Sequence, residues 1–142
     1  MKPSLYCLGF CFDADRHNVV LIRKLRPPRH RGLLNGVGGK VNDNERPVHA
    51  MKREFLEETG VLVEEWDPFG LITARDGMIM IFKSFTDDMR RAETKTDEAV
   101  VLMHVTEVAA SPPSLFVTHV PGIIQMALNG QTAFRKSPIS II

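Results

Sequence analysis

Four glutamates, one arginine and two glycines between Gly39 and Gly60 carry the chemistry this sequence can do. Glu45 comes first, then Arg53 and Glu54, then the adjacent Glu57 and Glu58. On a helix each residue advances about 100°, so Glu54, Glu57 and Glu58 fall within an arc of roughly 100°. Val48, Met51 and Phe55 form the neighbouring apolar stripe, suited to docking on a sheet. Like charges at these spacings cost about 0.2–0.5 kcal/mol per pair in an isolated helix. Hard divalent cations offset that repulsion, and Mg²⁺ takes oxygen ligands while keeping waters and phosphate oxygens in its shell. Arg53, four residues before Glu57, is placed to clamp one carboxylate in a fixed orientation. An acidic solvent face is the ordinary use of a Glu-rich helix, but it leaves the spacing back to Gly39 and Glu45 unexplained.

The elements that must position these residues follow from turn chemistry and periodicity. Leu5 to Phe12 reads as a strand, the segment 13–18 as a turn, and Val19 to Leu25 as the hairpin partner. The run Arg26-Pro27-Pro28-Arg29-His30-Arg31-Gly32 is a loop, because consecutive prolines cannot serve a central ladder. Leu33 to Val41, with three glycines, predicts short strand pieces around a tight bend. Asn42-Asp43-Asn44 is turn chemistry, Pro47 suits a first helical turn, and Gly60 suits a stop, which predicts a helix from Pro47 to Thr59. Phe69 to Ala74 and Met78 to Phe85 read as strands joined through Arg75-Asp76-Gly77, and Ala99 to Val105 as another. Pro121 to Leu128 reads as a second helix stopped by Asn129-Gly130. Without regular βαβ alternation, this order predicts an α+β fold, a mixed sheet with helices packed on it.

At 142 residues, with 44 % hydrophobic and 25 % charged, the chain is expected to form one domain over 1–142. A net charge of +1 supplies no global field for nucleic acid or anionic membrane. No apolar run approaches the ~18–20 residues of a membrane span, and no signal peptide is read at the start. Cys7 and Cys11 lie about 13 Å apart along one strand, beyond disulfide reach, so buried free thiols and a cytoplasmic setting are expected.

The pattern Gly39-x5-Glu45-x7-Arg53-Glu54-Phe55-x-Glu57-Glu58-x-Gly60-Val61 resembles the Nudix box of the Nudix hydrolases at every fixed position. Phe55 stands where an aliphatic residue is commoner, and it still serves the apolar stripe. The resemblance implies the Nudix fold, an α/β/α sandwich with a mixed sheet, and hydrolysis of a nucleoside diphosphate linked to another group with Mg²⁺ or Mn²⁺. It implies Glu57 and Glu58 as metal ligands, Glu54 as ligand or general base, Glu45 in an electrostatic or positioning role, and a backbone carbonyl near Gly38 or Gly39 completing the shell. Glu54 is the first choice for the base; Glu57 is one alternative, and Glu98, outside the box, is another, which a loop could bring to the metals as ligand or base and which reads equally as an exposed strand start.

Asn35-Gly36-Val37-Gly38-Gly39-Lys40 fails the P-loop and dinucleotide patterns. It looks like the segment of the MutT-type Nudix enzymes that hydrolyse nucleoside triphosphates. That likeness makes Asn35 the candidate base reader, with Gly38 and Lys40 beside it at the substrate; the competing reading has Asn35 bonding its own turn. Two departures count against oxidised-purine specificity: Leu34 replaces a tryptophan common before that asparagine, and the adjacent aspartates of the mammalian-type enzyme have no match near Ser114-Leu115-Phe116. Residues around Phe116 fall where a wall of the base pocket is expected. Of the basic cluster 23–31, Arg23 and Lys24 are the expected phosphate contacts. Trp66, His104 and His119 read as structural. The expected partner is a nucleotide, with nucleic acid disfavoured and a homodimer left open. The alternatives to triphosphate hydrolysis are cleavage of ADP-ribose, a sugar nucleotide or a dinucleotide polyphosphate, and, in another class, a catalytically idle nucleotide-binding regulator.

Overall fold

The computed structural model describes residues 3–136. The chain order is β1 (Ser4–Phe12), β2 (Asn18–Arg23), β3 (Leu34–Asn35), β4 (Val37–Lys40), α1 (Pro47–Thr59), β5 (Asp67–Ala74), β6 (Gly77–Phe85), β7 (Val100–His104), α2 (Val105–Ala110), α3 (Val120–Leu128) and β8 (Ala133–Lys136). All eight strands belong to one mixed sheet, an α+β arrangement.

Strand β1 is central, and its alternation assigns the layers. Leu8, Phe10 and Phe12 point into one apolar cluster with Val120, Ile123 and Ile124 of α3 and Val108 of α2. Cys7 and Cys11 point into the other, with Ala50, Met51 and Phe55 of α1. Successive strand residues face opposite sides, so α1 covers one face and α2 with α3 cover the other. Helix α1 starts with Pro47 in its first turn and ends where Gly60 turns left-handed (φ 77°), its N–H donating to the Leu56 carbonyl at 2.9 Å. Trp66 seals this layer, edge-on to Phe55 at 5.2 Å, with its indole N–H on the Val63 carbonyl. Both cysteines are buried and unbridged, as expected, and burial pushes their thiols up to about 11 and about 12.

The antiparallel hairpin expected between β1 and β2 is present, but its ladder is short. The two strands meet only at Phe12↔Val19. β1 instead runs parallel to β6 over nine positions, from Ser4↔Gly77 to Phe12↔Phe85, and antiparallel to β4. β2 leaves it to pair with β7 and β3. This split opens the sheet beside β4, where the cleft lies. α2 and β8 are elements the sequence reading missed. α2 is a six-residue turn capped by the His104 imidazole, and β8 lies parallel to β5 at the sheet edge. Both are too short to leave a periodic signal. Among the described residues no helix is long and apolar enough to cross a membrane.

Candidate functional site

Helix α1 presents its carboxylates in graded degrees of burial. Phe55 and Met51 dock on the sheet, which draws Glu58 and Glu54 down beside them. Glu58 is 8 % exposed, and its Oε2 has no hydrogen-bond partner. Burial first, and then the nearby charges of Glu54 and Glu98, push it up to about 8; Lys24 and the Gly38 N–H pull the other way without prevailing. Glu54 is also raised, chiefly by burial, although Arg53 Nη1 donates to it at 2.9 Å. Glu57 is the exposed member, 3.5 Å from the same Nη1.

Two glycines make this arrangement fit. A Cβ on Gly39 would lie 2.5 Å from Glu54 Oε1, and one on Gly38 would lie 2.0 Å from the Cys7 carbonyl oxygen. Only residues without side chains allow the carboxylate and β1 to approach β4 so closely.

Arg53 does more than the clamp on Glu57 read from its spacing. Its Nε and Nη2 grip Glu45 in a fork at 2.8 and 3.0 Å, and Nη2 also donates to the Lys40 carbonyl at 3.1 Å. Glu45 accepts the Asn42 N–H at 3.0 Å as well, and the guanidinium fork holds its carboxyl down to about 2. Arg53 thus ties the end of β4, the turn 42–45 and Glu54 into one unit. Among the described residues, no three acidic, histidine or cysteine side chains come together as a ready metal cage. The donor set still suits a hard cation: a buried carboxylate oxygen without a partner, a second carboxylate beside it, and backbone oxygens nearby.

On the other side of Gly38 and Gly39 lies a cleft of about 260 Å³. Tyr6, Leu8, Ile72, Ile79, Val117 and Ile123 give it aliphatic and aromatic walls. Lys24, Arg26, Arg29 and His30 form its rim, and among the described residues no carboxylate lines it. His30 is held below its usual range by burial and then by the charges of Arg29 and Lys24, which favours its neutral form. Asn35 lines the cleft while its Oδ1 accepts the Gly36 N–H at 2.8 Å, so the turn-bonding reading and the cleft position both hold.

The structure therefore brings together Asn35, Lys24, Gly38 and Gly39, with Glu54 and Glu58 behind them. It does not bring Arg23 or Lys40 to the cleft: Arg23 turns back to the Gly32 carbonyl at 3.1 Å, and the Lys40 side chain faces solvent. Glu98 is not the exposed strand start that one reading gave. It is 5 % exposed, and it bonds Lys24 Nζ at 2.9 Å and the N–H groups of Leu25 and Arg26 at 2.6 and 3.3 Å. Burial works against its charge, but these bonds hold it below the usual carboxylate range. Phe116 packs in the core, and the wall expected there is made by the next four residues, 117–120. His119 among them takes a left-handed backbone (φ 75°) at the start of α3; that conformation is enriched in histidine, but nothing in the sequence marked it. Ile72 and Ile79 were missed because nothing local distinguishes them from other strand residues. His104, by contrast, is structural as expected, capping α2 and stacked on His17.

Comparisons with known proteins agree with this geometry. Residues 5–119 match the family model described as the NUDIX domain. A MutT protein from Bacillus halodurans superposes with a TM-score of 0.69 at 22 % identity, covering 95 % of this chain and 91 % of that one. A MutT structure from work on Aliivibrio salmonicida and Vibrio cholerae gives 0.71 at 17 %, covering 91 % and 98 %. A NUDIX hydrolase from Nitrosomonas europaea gives 0.71 at 18 %, covering 98 % and 81 %. With the family model spanning most of the chain and three of the four box glutamates seated on α1, the chain belongs to the Nudix family, hydrolases that act on phosphoric anhydride bonds.

Proposed function

We propose that the protein is a Mg²⁺-dependent pyrophosphohydrolase, one Nudix unit over 1–142, that cleaves a nucleoside triphosphate to the monophosphate and pyrophosphate. The observation carrying this reading is Glu58 Oε2, buried and without a partner among the described residues, behind a cleft whose rim carries Lys24, Arg26, Arg29 and His30. A chain that needed only a folded helix would gain by replacing such a group, since an unpaired buried polar atom costs about 1–3 kcal/mol.

Glu58, Glu54 and Glu57 are the side chains that would hold Mg²⁺, or Mn²⁺ in its place, with a backbone oxygen at Gly38 or Gly39. A bound cation neutralises phosphate oxygens and lowers the pKa of an attacking water. The rest falls to the protein. Arg53 keeps Glu54 and Glu45 in fixed orientations, so the acidic bank is preset before substrate arrives. Glu54 is the group assigned to take the proton from water, because burial and Arg53 fix it against Gly39; Glu57 is the alternative. Asn35 and the aliphatic walls receive the base, an amide edge suiting a purine, and the rim receives phosphates. The two unbridged thiols suit a reducing, cytoplasmic setting.

The test is a substrate panel with Mg²⁺: canonical and oxidised deoxynucleoside triphosphates, ADP-ribose, a dinucleotide polyphosphate and a capped RNA, with products identified by mass. Triphosphates are expected to give monophosphate and pyrophosphate, and Glu57→Gln to lose most turnover, on the order of 10²-fold or more, while keeping its fold. A preference for ADP-ribose would remove Asn35 as a purine reader. Unchanged phosphate release from Glu57→Gln would remove the metal-ligand assignment. Tight binding of one compound without turnover would instead make this a regulatory nucleotide-binding domain.

A further inference from the structure

Thr118 and His119 line the cleft beside Asn35, far from it in sequence. Backbone pairing brings them there. Leu34 and Phe116 form a parallel bridge, and the Val117 N–H donates to the Leu34 carbonyl at 2.9 Å. Asn35 has its Oδ1 on the Gly36 N–H at 2.8 Å, so the group it offers a ligand is the Nδ2 amide, a donor only. The Thr118 hydroxyl and the His119 ring each donate and accept. Among the described residues no carboxylate lines the cleft, so no side chain there acts only as an acceptor. His119 also sits where local stability asks for another residue. It takes φ 75° at the N-cap of α3, with no hydrogen bond from its side chain to the helix. Asparagine would cap the helix and adopt the left-handed backbone more readily, and glycine would adopt it freely. Neither local demand explains an imidazole; its place on the cleft does.

We propose that Asn35, Thr118 and His119 select the base: the cleft takes a purine without a 2-amino group, of adenine or hypoxanthine type, and turns away guanine-type purines that carry one. This selection rests on the nucleoside triphosphate reading above and adds the class of base to it. Hypoxanthine sets one acceptor, O6, beside one N–H, and adenine sets N1 beside one amino group. Either pair is met by the Asn35 amide as donor and by Thr118 or His119 as its neighbour. Guanine adds the 2-amino group next to N1–H, which makes two donors side by side. They face a donor amide and the aliphatic walls of Ile72, Ile79 and Val117. An N–H buried without an acceptor forfeits the hydrogen bond it had with water, and that cost falls on the 2-amino purines alone.

The experiment uses two pairs that differ only in the 2-amino group: inosine triphosphate against GTP, and ATP against 2-aminoadenosine triphosphate. With Mg²⁺ and the wild-type chain, kcat/KM is expected to be about tenfold or more higher for the member of each pair that lacks the group. Calorimetry with the α,β-methylene forms of inosine and guanosine triphosphate should show the same order of preference without turnover. Thr118→Asp supplies the missing acceptor and should narrow the gap to about threefold or less. His119→Gly suits the left-handed backbone, so it should keep the denaturation midpoint while narrowing the gap as well. Inorganic tripolyphosphate carries no base and meets the basic strap at the rim, residues 24–30, so it should bind both variants as it binds the wild type. Equal kcat/KM within both pairs would overturn the selection and leave the triphosphate reading standing. A calorimetric preference for the inosine form, with no nucleotide hydrolysed, would keep the selection and sink the hydrolase. Failure of both methylene forms to bind would overturn the two together. A gap that survives unchanged in both variants would take the selection away from Thr118 and His119.

Discussion

The two banks of the Gly38–Gly39 backbone are built in opposite ways. The acidic bank comes from one stretch, the end of β4, the turn after it and α1, and Arg53 ties its parts together. The basic and aliphatic bank is assembled from β1, the strap, β5, β6 and the entry to α3. Only backbone without side chains separates them, so a phosphate chain can lie within reach of both. The contrast teaches that charge neutralisation can be carried by a local motif, whereas substrate choice depends on how distant strands happen to pack.

The comparison breaks most visibly at Arg53. Arg53→Ala strips Glu45 and Glu54 of their shared partner and frees the Lys40 carbonyl. It should lower kcat on the order of 10²-fold through misplaced carboxylates, with tripolyphosphate affinity at the strap little changed. Equal losses in both measurements would show that the banks are not independent.

Next comes the partition itself. Gly38→Ala drives a methyl into the Cys7 carbonyl, which belongs to backbone and cannot swing away. A stability loss of about 2–3 kcal/mol is expected in chemical denaturation. An unaffected midpoint would mean that β4 can retreat from β1.

Acid stability sharpens the contrast, because it should follow paired carboxylates and not the cleft. Glu45 is held down to about 2 by the Arg53 fork; Asp13 reaches about 2 because bonds from Asn18, His17 and Arg90 outweigh its burial. Both folded values lie below the unfolded ones. Their stabilisation is therefore complete above about pH 4.5 and lost as pH falls toward 2, on the order of 2 kcal/mol each. Denaturation followed by Trp66 fluorescence should show that loss, and Glu45→Gln should show a shallower one. Identical pH profiles would remove Glu45 as a source of acid sensitivity.

The smallest effect is expected on the basic bank. Asn35→Ala should raise KM threefold to tenfold for a purine triphosphate, about 1 kcal/mol, and leave tripolyphosphate binding alone. A loss of tripolyphosphate affinity would recast Asn35 as a phosphate contact.

How far the site could be read in advance tracks how local each part is. Glu54, Glu57 and Glu58 share a face because helix geometry fixes three- and four-residue spacings, and the ends of α1 were signalled by Pro47 and Gly60. Glu98 was suspected, but its role could not be read: its partners at 24–26 lie more than 70 positions earlier, and only the β2–β7 pairing brings them together. Arg23 illustrates the converse. Its place in a basic run suggested a phosphate contact, yet the strand it ends turns its side chain to Gly32.

The sequence by itself settled the acidic helix and the residues that start and stop it, because those depend on residues a few positions apart. The tertiary structure alone decided that β1 runs its long ladder with β6 and meets β2 only at Phe12↔Val19, that Arg53 favours Glu45, and that Ile72, Ile79 and residues 117–120 wall the cleft. Those outcomes rest on pairing and burial across the whole sheet, where the free energy of each contact depends on every strand already in place and no single spacing records it.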